Sequence, residues 1–109
     1  MMVSFFCPYL NADVELSAER RSHIESTHPE FLPEYQDYLA QTLADPDEVR
    51  RDSRFPNTRI FTRWFDQLLG GKFLAVVVVT DSHPAERQWI VTAYVTRKLR
   101  QGESEWKRT

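Results

Sequence analysis

The chain has 109 residues, 41% apolar and 13% aromatic, with a formal net charge of −2. That length suits one compact domain spanning 1–109, and the composition excludes low-hydrophobicity disorder over most of it. No apolar run approaches the roughly 20 residues of a membrane span, and the single cysteine, Cys7, excludes an internal disulfide and is compatible with a reducing cytoplasm.

The opening "MMVSFFCPYL" has no basic leader region and only a short apolar run, so it reads as part of the fold and not as a signal peptide. Within it, Val3–Phe6 fits a short strand. Ser17 is placed to cap a helix over Ala18–Thr27, which ends there because Pro29 disfavours helical geometry at His28. A second helix is expected over Pro33–Ala44, with Pro33 in its first turn and Tyr35, Tyr38, Leu39, Thr42 and Leu43 at helical spacing. Pro46 follows its end.

The period then changes to two. Glu48–Ser53 and Thr58–Gln67 read as strands, Gly70–Gly71 as a hairpin turn, and Phe73–Thr80 as the partner strand. The run "AVVVV" predicts that this strand is central and covered on both faces. "DSHPAERQ" reads as a loop, Trp89–Thr96 as the last strand, and the tail as a helical turn with an exposed end. The expected fold class is α+β, with two N-terminal helices packed on one face of an antiparallel four-stranded sheet.

The charge is unevenly distributed. Residues 1–48 hold ten acids and two bases, while residues 49–109 hold twelve bases and six acids. The split fits either an anionic partner for the second half or an ordinary basic face balanced by acidic helices. Strict alternation on the last strand puts Trp89, Val91, Ala93 and Val95 on the core side and Ile90, Thr92, Tyr94 and Thr96 on the other. On the earlier strand Arg59, Phe61, Arg63 and Phe65 share a side. If the register aligns the two strips, arginines and hydroxyls meet on one surface; otherwise the strip is a half-solvated sheet face.

His23 and His28 stand five residues apart, which is poor spacing for a helical metal pair, and His83 is remote. No metal and no cofactor are expected. Imidazole titrates near neutrality, so His28, just past a helix end, is a candidate acid or base. Solvent-exposed or capping roles remain open for both histidines.

The ordered set "HI" (His23–Ile24), "HPE" (His28–Glu30), "PDEV" (Pro46–Val49) and "VTAY" (Val91–Tyr94), followed by Lys98, Gly102 and Trp106, resembles the phage-associated branch of the barnase–EndoU–colicin–RelE-like nucleases and the small RelE-like toxins. The set spans about residues 16–106. The resemblance implies a RelE/barnase-like fold and a metal-independent endoribonuclease, either the toxin of a toxin–antitoxin pair or a phage-derived effector. RNA would be the substrate and an antitoxin protein a candidate partner. In such enzymes the 2′-hydroxyl attacks the adjacent phosphorus under acid–base catalysis. Carried onto this chain, His28 is the first choice for acid or base, His23 shares or orients that role, and Thr92 and Tyr94 contact phosphate or ribose. Arg63 and Lys72, with Arg59 on the same strip, are candidate phosphate contacts by charge and strand position. The alternative is a non-catalytic protein-interaction module that keeps the scaffold. The sequence sets no oligomeric state.

Overall fold

A computed structural model describes residues 3–27, 35–82, 86–98 and 103–108. They form seven strands and two helices: β1 (Val3–Cys7), β2 (Ala12–Leu16), α1 (Ala18–Thr27), α2 (Tyr35–Ala44), β3 (Glu48–Arg51), β4 (Thr58–Phe65), β5 (Lys72–Asp81), β6 (Arg87–Thr96) and β7 (Glu103–Lys107). The strands make one mixed sheet in the order β1-β2-β6-β5-β4-β3-β7. All neighbours are antiparallel except β2 and β6, which run parallel through Glu15 and Trp89.

The expected four-stranded antiparallel sheet with leading helices is therefore corrected. A β-hairpin precedes the helices, β7 adds the far edge, and the sheet is mixed. The strand expected at Val3–Phe6 is present as β1, whereas its hairpin partner β2 is unexpected because five residues are too few to show a period. The end of the tail, expected to be exposed, forms strand β7 because its backbone pairs with β3; residues 99–102, where the helical turn was expected, lie outside the described residues. The expected loop "DSHPAERQ" is partly strand: Asp81 ends β5 and Arg87 opens β6, paired to each other.

Local chemistry accounts for the helices. The Ser17 hydroxyl accepts the Arg20 N–H at 3.1 Å, capping α1. The backbone over 28–34, including His28, the Pro29 corner and the expected Pro33 helix start, lies outside the described residues. Tyr35 ties the two helices: its hydroxyl donates to Glu25 at 3.0 Å and accepts from Arg21 at 2.7 Å. The apolar side of α2, Tyr35, Leu39 and Leu43, joins Ile24 of α1 over one face of the sheet. Beneath them lie Phe5, Cys7, Val14, Leu16, Val49, Phe61, Phe65, Leu74, Val76, Val78, Ile90 and Ala93.

No helix among the described residues covers the opposite face, so "AVVVV" is central without being buried on both sides. Val76 and Val78 are buried under the helices, whereas Val77 and Val79 face the other way and are half-exposed. No helix among the described residues is long and apolar enough to cross a membrane.

The β4–β5 turn is held by left-handed backbone at Leu69, Gly70 and Gly71, with φ of 49°, 78° and 102°. A Cβ on Gly70 would meet nothing within 4 Å, but one on Gly71 would lie 2.8 Å from the Trp64 ring. Both Gly70→Ala and Gly71→Ala should lose about 1–2 kcal/mol through the left-handed conformation. Gly71→Ala should lose measurably more, because the indole must move as well. Chemical denaturation of the two variants side by side checks the ranking; equal losses would contradict it.

Candidate functional site

Register decides which polar residues share a surface. On β4 and β5, Arg59, Phe61, Arg63 and Phe65 pair with Val78, Val76, Leu74 and Lys72, all on the helix-covered side. Thr58, Ile60, Thr62 and Trp64 pair with Val79, Val77, Ala75 and Phe73 on the open side. On β6 a bulge interrupts the alternation: Val78 pairs with Ile90 and Val77 with Thr92, leaving Val91 as an extra residue. Thr92, Tyr94 and Thr96 thus lie on the open face, as alternation from the strand's end predicts. Ile90 and Trp89 exchange sides: Ile90 is fully buried under the helices, and Trp89 joins the open face.

The expected meeting of arginines and hydroxyls does not occur, because the sheet lies between them. Arg59 donates to Glu105 at 2.8 Å. Arg63 pairs with Asp45 at 3.1 Å and donates to its carbonyl at 2.8 Å. The Lys72 ammonium donates to the carbonyls of Leu69 at 2.8 Å and Gly71 at 3.2 Å, tying down its own turn. All three candidate phosphate contacts are on the helix side and already have partners within the chain. His23 is exposed on α1, so it belongs to the helix layer and does not share a surface with Thr92 and Tyr94. His28 and His83 lie outside the described residues. Cys7 is buried, and burial pushes its thiol up, away from the thiolate a nucleophile needs.

The open face has its own chemistry. Trp64 and Phe73 meet edge to face at 5.1 Å between ring centroids. Trp89 carries the Arg87 guanidinium 5.4 Å above its ring, and Arg87 also pairs with Glu15 at 2.9 Å. The row Glu48–Thr62–Ala75–Tyr94 runs across four neighbouring strands. Thr62 and Ala75 in its middle are small and only 1% exposed. At the β3 end, Asp47, Glu48, Arg50, Phe73, Lys107 and Arg108 line a cavity of about 460 Å³. Arg50, paired with Glu48, and the exposed Lys107 are thus cations at the β3 end of the open face. Strand parity places Arg50 beside Glu48, but the sequence alone does not show which face they take.

No protein-family model matches this chain, and no curated protein or solved structure matches it significantly. The nuclease resemblance rests on the sequence motifs alone.

The helix side has a separate ionic centre. Glu105, the extra residue of a second bulge between β7 and β3, accepts from Tyr9 at 2.6 Å, Arg59 at 2.8 Å and Arg51 at 2.8 Å. Burial raises its carboxyl, but the hydrogen bonds from Tyr9, Arg59 and Arg51 outweigh that and hold it down to about 2. Burial and the bond to Glu105 push the Tyr9 phenol up to about 12. Because the folded Glu105 carboxyl is depressed, its stabilisation is present above about 4.5 and is lost as pH falls toward 2. Glu105→Gln should cost on the order of 3 kcal/mol at pH 7, and the gap to the parent should close across that acid window. Urea titrations at pH 7, 4 and 2.5 measure it; a gap independent of pH would contradict the assignment.

Proposed function

We propose that the protein is a metal-independent endoribonuclease that holds single-stranded RNA on the open face of its sheet. The observation that carries this reading is the position of the "VTAY" strand. Thr92 and Tyr94 emerge on the face that also carries three aromatic rings, Trp64 and Phe73 packed edge to face and Trp89 beneath Arg87. Aromatic side chains on a sheet accept successive bases by stacking, whatever the sequence, and nearby cations follow the phosphates. The motif resemblance points to the same substrate.

In this reading the ribose 2′-oxygen loses its proton to a base and attacks the adjacent phosphorus. The 5′-oxygen leaves with a proton from an acid. The products are a 2′,3′-cyclic phosphate and a 5′-hydroxyl. His28 directly follows α1 and lies outside the described residues, so its role as acid or base rests on the motif resemblance alone, while the hydroxyls of Tyr94 and Thr92 donate to the phosphoryl oxygens as charge builds there. Arg59, Arg63, Lys72 and His23 leave the RNA-contacting set, because each stands on the helix side. A cytoplasmic toxin with an antitoxin partner, or a phage-derived effector, would use this activity.

A second reading has its own support. The middle of the open face is apolar at Ile60, Val77 and Val79, and Phe6 beside the β1 edge is 56% exposed. A protein-interaction module would bury that surface against a partner.

The purified protein should cleave single-stranded RNA in excess chelator. His28→Ala should lower the rate by roughly 10²–10⁴-fold, and Tyr94→Phe by roughly 10²-fold. Arg63→Ala should change it little, because that guanidinium is committed to Asp45. Intact RNA at high protein concentration would overturn the enzyme reading. A partner lost on Trp64→Ala but retained on His28→Ala, with RNA intact, would establish the second one.

A further inference from the structure

The cavity between β3, β5 and β7 holds an unusual carboxylate. Glu48 is 3% exposed, although it sits on the uncovered side of the sheet. One carboxylate oxygen pairs with the Arg50 Nε at 3.2 Å. The other is buried with no hydrogen-bond partner among the described residues. Buried carboxylate oxygens normally have donors, so an unpartnered one on a residue that lines a cavity points to a donor that arrives with a ligand. The remaining lining groups narrow the class. Asp47 is committed: it accepts the Trp64 backbone N–H at 2.7 Å and pairs with Arg108 at 3.4 Å. Arg108 is committed in turn to Asp45 and Asp47. Lys107, opposite Glu48 in the β3–β7 pair, is exposed. Phe73 presents an aromatic ring.

A simple anion would meet the Glu48 carboxylate, and a simple cation would meet Arg50 and Lys107. An apolar ligand would leave the buried oxygen unsatisfied. The ligand must combine a flat ring, an N–H donor and an anion. The volume, about 460 Å³, is within the ~300–1,000 Å³ of small-ligand sites.

We propose that this cavity is a single-nucleotide subsite. Phe73 carries the base, the unpartnered oxygen of Glu48 accepts an exocyclic amine of that base, and the exposed Lys107 holds the phosphate. Carboxylates read amine-bearing bases in this way, as in acceptance from the cytosine N4 amine. The subsite therefore favours cytidine, adenosine or guanosine, which carry an exocyclic amine, over uridine, which has only its ring N3–H to donate. The proposal rests on the RNA reading for the polymer the nucleotide belongs to, and not on its cleavage.

Binding of 5′-mononucleotides can be followed by tryptophan fluorescence, since Trp64 contacts Phe73. Cytidine, adenosine or guanosine monophosphate should bind saturably, and uridine monophosphate, the free nucleosides and inorganic phosphate at least tenfold more weakly. Lys107→Ala should weaken every nucleotide about equally, Phe73→Leu should weaken all of them, and Glu48→Gln should erase the preference against uridine. Thermal unfolding checks that Glu48→Gln folds; if it does not, Lys107→Ala and Phe73→Leu decide. Nucleotides that bind no better than phosphate, or binding indifferent to Lys107→Ala and Phe73→Leu, overturn the subsite. Nucleotide binding without RNA cleavage would remove the enzyme reading and leave the subsite; cleavage with no such binding would do the reverse.

Discussion

The extra residue at Val91 settles which side chains on β6 can act together. Its neighbour strand β5 has one side covered by the helices, so the middle of β6 must supply apolar residues facing them. Counting back from Thr96, strict alternation would put Trp89 under α1 and turn Ile90 to the open side. The bulge inserts one residue, and Ile90 rotates into the core while Trp89 rotates out. A half-buried sheet tolerates such a shift only where the hydrophobic pattern on both sides of it fits. Here it does, because Ile90 above the bulge and Ala93 below it face the helices and are buried. The consequence is a continuous outward strip of Trp89, Thr92, Tyr94 and Thr96 opposite Val79, Val77, Ala75 and Phe73.

The uneven charge of the two halves has a simple spatial outcome. Much of the basic second half is folded against acids. Asp45, at the end of α2, receives Arg63 and Arg108, and Glu15 of β2 receives Arg87. Arg51 and Arg59 converge on Glu105. Linear segregation of charge thus becomes intramolecular pairing once the strands interleave, and the basic footprint visible in the sequence overstates what a partner meets. Most of these pairs are partly exposed and contribute little individually. The Glu105 cluster is the exception, because its carboxylate is largely enclosed and takes three donors.

Elements with a full local signal were legible. Ser17 and the Tyr35–Leu43 spacing mark the two helices, and the double glycine marks the turn that brings Trp64 against Phe73. Features fixed by long-range pairing were not. The faces of Arg59 and Arg63 depend on which side of β5 the helices choose, and no local pattern encodes that choice. β2 offers only Val14 and Leu16 as inward residues, and β7 exists because β3 has a free edge. Alternation counted from Thr96 places Thr92 and Tyr94 on the side they take in the structure. Glu48 at a strand start and Lys107 in a tail carry no signal of their neighbourhood until the register pairs them.

The second bulge, at Glu105, shows what an extra residue in an edge strand contributes. Without it, β7 would continue its alternation from Trp106, and Ser104 could not lie opposite Arg50 while Lys107 lies opposite Glu48. With it, Glu105 anchors the strand to Arg51 and Arg59 on the helix side, and Lys107 is delivered to the rim of the open-face cavity. The edge is thereby held by a partly buried ionic cluster on one side and supplies a cation on the other. Glu48 beneath it keeps an unsatisfied oxygen, a defect of about 1–3 kcal/mol for a buried polar group. A packed apolar side chain at that strand position would remove the defect without disturbing the helices, which touch only the other face. That the fold carries the carboxylate there, between an arginine and a lysine and with no donor among the described residues, is the physical reason to look for that donor in a ligand.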